Sequence, residues 1–147
     1  MPPTDKKLNP TAAAGYSGTP LVKKLGIKPG ARLCFLNAPE GYATYLGPLP
    51  NDIKVVKRLT RDLDFVQWFV LSRKTLEQSF ARIRDALHRD GMLWVSWPKA
   101  TSGVVTDVKE PTVREVGLRG GLVDVKICAV DSVWSGLKFV RRVRDRV

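Results

Sequence analysis

Few residues in this chain have the types and spacing that chemistry demands. His88 is the only histidine, and it falls near the end of an expected helix. There a surface or dipole-facing role outweighs that of a base. A Ser–His–Asp arrangement could use only His88, and neither Ser96 nor Ser135 has it close in sequence. Asp64, Asp107, Asp124 and Asp131 are separate carboxylates with no spacing that pairs them, and Asp131 reads as the cap of a turn. The two cysteines, Cys34 and Cys128, each sit inside an apolar run, as buried thiols of a reducing compartment do. A metal centre wants clustered Cys, His or carboxylate ligands at short spacing, and the sequence offers none. Walker-type phosphate-loop spacing is absent as well. No catalytic residue, metal or cofactor is therefore expected.

What remains is a set of polar groups at the ends of expected strands: Asn37 and Glu40, Ser72 and Arg73, then Ser96, Trp97 and Lys99. The elements that must position them follow from pattern. Residues 1–14 lack periodicity and read as a tail. Thr19-Pro20 starts a short helix, Leu21 to Leu25, with Thr as its cap, and Lys28-Pro29-Gly30 has the form of a type II turn. Arg32 to Leu36 is a first strand. Tyr42 to Leu46 is a short helix, and Ile53 to Leu59 a second strand whose charges place it toward a sheet edge. Asp64 to Leu71, apolar almost throughout, suits a strand covered on both faces. Leu76, Phe80, Ile83 and Leu87 form one stripe of a helix over 73–89, capped by Ser72 and ended by Gly91. Met92 to Trp97 is a fourth strand. Pro111 to Leu118 is a helix, and Leu122 to Val130 and Leu137 to Val143 are strands with too little chain between them for a helix. These last two pair as a hairpin.

Strands alternating with helices imply βαβ units and a parallel sheet. LGIKPGARLCFLN and DFVQWFVLSRKTLEQSFARIRDALHRDGMLWVSW resemble the methyltransferase-type Rossmann fold. That likeness covers roughly residues 25 to 143 and implies one α/β domain over 15–143, with a basic end at 144–147. Its sheet would be mostly parallel, of about six strands in the order 2-1-3-4-6-5, closed by an antiparallel hairpin. Three phrases, GYSGTPLVKKLGIKPG, LWVSWPKATSG and GLVDVKICAVDSVWSGLKFVRR, together resemble a small bacterial family known as a domain of unknown function. That resemblance implies no catalytic residues.

The fold family holds S-adenosylmethionine with glycines after the first strand and a carboxylate after the second. Here the first loop is Asn37-Ala38-Pro39-Glu40-Gly41, and the second strand ends Lys57-Arg58-Leu59-Thr60-Arg61, with Asp62 late. Both halves depart from the pattern, and Glu40 opposes a phosphate ligand. The expectation is a non-catalytic binding or regulatory module on a degenerate form of that fold. The alternatives are a nucleic-acid-associated protein and an enzyme of unrecognised chemistry. Ligands of open α/β sheets bind beyond the carboxyl ends of the strands where the order reverses. That places the polar groups above in a crevice between the first and third strands. Trp94 and Trp97 face opposite sides of one strand, and Trp68 is core. Tyr16 and the turn Trp134-Ser135-Gly136 are candidates for contact with a partner.

The chain has 147 residues, 44% hydrophobic and 27% charged, which suits one soluble domain with a real core. No apolar stretch approaches a membrane span, and MPPTDKKLNP has no apolar core of a secretory signal. A cytoplasmic protein is expected. The net charge is +11, concentrated toward the two ends and in Lys138, Arg141, Arg142, Arg144 and Arg146. Such a field favours acidic partners, whether an acidic protein, nucleic acid or a small anionic ligand.

Overall fold

A computed structural model describes residues 19–147; the tail at 1–14 and Tyr16 lie outside them. The elements run α1 (Leu21–Leu25), β1 (Arg32–Leu36), α2 (Tyr42–Leu46), β2 (Lys54–Val56), β3 (Leu63–Phe69), α3 (Arg73–Ala86), β4 (Leu87–Pro98), α4 (Glu110–Arg119), β5 (Leu122–Ala129) and β6 (Trp134–Arg141), with short 3₁₀ turns at Ala100–Ser102 and Val143–Asp145. The six strands form one sheet in the order β2-β1-β3-β4-β6-β5. β1, β2, β3 and β4 pair in parallel, and β6 is antiparallel to both β4 and β5. This is the fold class and the strand order that the sequence implies.

Alternation along the strands sorts the core into two layers. Val66, Trp68, Leu93, Val95, Leu137 and Phe139 face Leu76, Phe80 and Ile83 of α3 and Val113 and Val116 of α4. Leu33, Phe65, Phe69 and Trp94 face Leu25, Tyr42 and Leu46 of α1, α2 and their flanks. Trp94 and Trp97 lie on opposite sides, and both are buried. The Trp94 indole N–H donates to the Leu25 carbonyl at 2.8 Å, which ties α1 to the sheet.

Several boundaries differ from expectation. Pro20, not Thr19, holds the N-cap position of α1, with no side-chain cap. The turn after α1 behaves as expected: Gly30 has φ +80°, and the Ala31 amide donates to the Lys28 carbonyl at 3.3 Å. β2 is three residues long, at the sheet edge, and the crossing to β3 takes only six residues, 57–62. β1 lies between the two, and a crossover between parallel strands of one sheet usually takes a dozen residues or more. Here the strand is short, and Leu59 packs against the α3/α4 layer beneath the crossing. α3 stops at Ala86 because Leu87 already pairs with Leu63 as the first residue of β4. His88 therefore lies in a strand, and its Nδ1 accepts the Asp90 amide. Gly91 is not a helix cap. It sits where a Cβ would come within 2.6 Å of the Leu63 carbonyl oxygen, so the β3–β4 junction admits no side chain there. Gly91→Ala should cost roughly 2 kcal/mol by overpacking against backbone, readable as a lowered urea midpoint at unchanged m. An unshifted midpoint would count against this packing.

Trp134-Ser135-Gly136 is not a turn but the start of β6, with Trp134 opposite Pro98. The turn belongs to Asp131, whose Oδ1 accepts the amides of Val133 and Trp134 at 2.8 Å each. The basic residues of the C-terminal end do not share one patch. Arg141 spends Nη2 on the carbonyls of Arg84 and Leu87, at 2.8 and 3.0 Å, and so fastens the α3–β4 junction. Arg144 pairs with Asp145, and Arg146 donates to the Arg141 carbonyl. Lys138 alternates to the other face of β6, opposite Trp94. Among the described residues no helix is long and apolar enough to cross a membrane, and no group of three His, Cys, Asp or Glu could hold a metal ion.

Candidate functional site

The carboxyl ends of β1 and β3 frame a cleft of about 420 Å³, within the size of small-molecule sites. Its walls are mainly apolar: Phe69, Val70 and Leu71 from the end of β3, Pro39 from the loop after β1, and Trp134 from β6. Asn37, Ser72 and Thr75 supply the polar groups. The chain turns sharply off β1 because Asn37 adopts φ +57°, a left-handed conformation that Asn tolerates better than most residues. Gly41, at φ +83°, makes the second bend, into α2. Ser72 caps α3, its Oγ accepting the Thr75 amide at 3.3 Å, so both side chains are held at the cleft by the helix start. Trp134 is oriented by the Asp131 turn and packs edge-on against Phe69, with ring centroids 5.1 Å apart. Tyr42 meets Phe69 from the other side at 4.8 Å.

Beneath this aromatic group runs a buried polar relay. The Tyr42 hydroxyl donates to Gln67 Oε1 at 2.6 Å, and Gln67 Nε2 donates to Ser96 Oγ at 3.2 Å. Gln67 and Ser96 are wholly inaccessible to solvent, and unpaired they would be costly. The relay fixes α2 on the sheet and with it the far end of the loop that bounds the cleft. Tyr45 donates to the Val130 carbonyl at 3.1 Å. Burial, aided by the Asp131 charge, pushes the Tyr45 hydroxyl up to about 12, and burial also raises Tyr42. A raised phenol favours the neutral form in the folded state. This stabilisation is complete below the unfolded value of about 10 and is lost as pH climbs toward 12. Thermal unfolding should therefore fall steeply over that window, and Tyr45→Phe should flatten the decline. An identical alkaline profile in the variant would contradict it.

The structure brings together only part of the expected site. Asn37 and Ser72 line the cleft. Glu40 is exposed and is not part of the wall. Arg73 turns its side chain to Glu77 at 3.1 Å, and its amide is taken by Asp107. Ser96 is in the relay, Trp97 is buried in the opposite layer, and Lys99 lines a separate cleft. Trp134, read as a contact point for a partner, lines the first cleft. Phe69, Leu71 and Thr75 were missed, since apolar strand ends read as core. The signal for Gln67 was available: it is the one polar, uncharged residue inside DFVQWFVL.

No protein-family model matches the chain, and no curated protein matches it. Solved structures do. Magnesium protoporphyrin IX methyltransferase from Synechocystis PCC 6803, with S-adenosylhomocysteine bound, superposes with a TM-score of 0.55 at 13% identity, over 83% of this chain and 78% of that one. A TehB-like S-adenosylmethionine-dependent methyltransferase from Corynebacterium glutamicum gives 0.52 at 16% identity, over 89% and 92%. Fibrillarin from Aeropyrum pernix, with natively bound S-adenosylmethionine, gives 0.54 at 15%, over 91% and 74%. The chain thus has the Rossmann-like fold of methyltransferases. This finding overturns the reading as a non-catalytic binding or regulatory module.

The residues can be tested against the group such enzymes use. For the purine and the sulfonium of S-adenosylmethionine the cleft is suitable. Phe69, Leu71, Pro39 and Trp134 form apolar and aromatic walls, and a cation gains from the face of an indole ring. Asn37, Ser72 and Thr75 line the cleft with an amide and two hydroxyl groups that could meet ribose hydroxyls. The carboxylate of the usual pattern has no counterpart: Asp62 precedes β3 and so lies toward the amino end of the sheet, opposite the cleft. The group fits, with a ribose clamp of neutral rather than charged acceptors.

Proposed function

We propose that this chain is a methyltransferase-like protein that takes S-adenosylmethionine in the cleft between β1 and β3. The observation that carries the reading is the position and lining of that cleft. It lies where the strand order reverses, between aromatic rings from β3 and β6 and the polar starts of the flanking loops. The fold shared with methyltransferases supports it.

The cofactor supplies a methyl group made electrophilic by its sulfonium. The work of the chain is to bind and position. Phe69 and Trp134 offer flat surfaces for the purine and an electron-rich face for the cation. Asn37, Ser72 and Thr75 are the groups that would hold the ribose by hydrogen bonds. The apolar walls keep water from the reacting centre. Among the described residues no acidic or basic side chain lines the cleft. The contribution of the residues that line it is proximity and orientation.

Trp134→Ala removes the ring that closes the cleft without touching the buried relay. We expect S-adenosylmethionine to bind the variant about tenfold more weakly by calorimetry, a loss of about 1.4 kcal/mol. Unchanged affinity would place the ligand elsewhere.

A further inference from the structure

The first cleft has a neighbour. Beyond the end of β4 a second cleft, of about 370 Å³, opens between Pro98 and the start of α4. The two share a wall. Leu71 lines the first, and its carbonyl accepts the hydroxyl of Thr106, which lines the second, at 2.6 Å. Trp134 of the first is the register partner of Pro98 in the second. The loop 99–109 that bounds it is held in shape. Thr106 Oγ1 also accepts the Val108 amide at 3.0 Å, and Asp107 accepts the Arg73 amide at 2.7 Å. Val108 is buried.

The lining has two characters. Trp97, Pro98 and Val108, all buried, form its floor, the exposed Val104 flanks it, and Lys99 and Lys109 bring two cations. One acid, Glu110, also lines it, but its Oε2 is held by Arg114 at 2.7 Å. Among the described residues neither lysine has an ion-pair partner, and the net charge of the lining is positive. An ammonium group beside apolar surface draws a ligand that carries its charge at one end.

We propose that this second cleft binds a small molecule with a flat apolar body and a carboxylate head. The body rests on the floor over Trp97, Pro98 and Val108, beside Val104, and the head is met by Lys99 and Lys109. The site goes beyond the cofactor reading and does not need S-adenosylmethionine in the first cleft. A ligand seated there would lie next to the shared wall.

The test uses benzoate and its neutral isostere benzamide, titrated separately into the full chain without S-adenosylmethionine and followed by amide chemical shifts. Benzoate should saturate, with the largest shifts at Trp97, Lys99, Thr106 and Lys109, and benzamide should bind at least tenfold more weakly. The double variant Lys99→Gln/Lys109→Gln should retain its circular dichroism spectrum, since Lys109 is exposed and caps α4 without its side chain. It should lose the preference for benzoate. Equal binding of the two probes, shifts confined to Asn37 and Thr75, or no saturable shift would each overturn the proposal. A separate titration with S-adenosylmethionine reports on the first cleft, so failure of one site is read independently of the other.

Discussion

Gly117→Ala should destabilise this protein by about 2–3 kcal/mol, the cost of overpacking a tight core. Helix propensity alone argues the opposite sign, since alanine in a helix interior is better than glycine by roughly 0.5–1 kcal/mol. The packing decides. Gly117 lies buried in α4, and a Cβ there would penetrate the ring of Phe139. Phe139 is itself fully buried and is packed edge-on against Phe80 at 6.1 Å. Phe80 is carried by α3 and buried against Phe139, so the Phe139 ring cannot yield without displacing it. The melting temperature should fall by roughly 4–10 °C, and adding Phe139→Leu should recover part of the loss. A neutral or stabilised Gly117→Ala would show that α4 does not sit this close to β6.

The second large effect is at Gln67. Gln67→Ala removes the acceptor of the Tyr42 hydroxyl and the donor to Ser96, both in the interior, and leaves a cavity. We expect a loss of about 3–4 kcal/mol, from cavity formation together with a buried hydroxyl left unpaired. Tyr42→Phe, which deletes only one end of the relay, should cost about 1 kcal/mol. The two should not add, because Tyr42→Phe removes the group that Gln67→Ala strands. The consequence reaches the site. Tyr42 packs on Phe69, so Gln67→Ala should also loosen the first cleft and weaken its ligand more than the distance from Gln67 suggests. Additive losses in a double-mutant cycle would contradict the relay.

The strand order and the two-layer core were legible because they rest on alternation along β3 and β4 and on the room between elements. Element ends were less so. Leu87 continues the helical stripe of Leu76, Phe80 and Ile83, but it is also the partner of Leu63, and the sheet claims it. The glycine that follows looked like a helix cap. Its reason is a carbonyl oxygen on the neighbouring strand, which no local pattern reveals. Trp134 was read into a turn because Gly136 follows it, whereas Asp131 makes the turn three residues earlier. At the site, Asn37 and Ser72 could be picked out because polar groups at strand ends are conspicuous. Ser96 was placed there by the same rule, but β4 runs on to Pro98 and takes Ser96 inside. The missing glycines and carboxylate were read as loss of the cofactor. The proposal rests instead on the aromatic walls and neutral polar groups of the cleft.

The central claim is that the β1/β3 cleft takes S-adenosylmethionine, and chemical-shift mapping of a titration of that compound into the full chain tests it most directly. The account predicts saturable shifts at the amides of Asn37, Phe69, Ser72 and Thr75 and at the Trp134 indole, with Lys99 and Lys109 little changed. Unmoved spectra at millimolar S-adenosylmethionine, or saturable shifts that bypass those five residues, would contradict it.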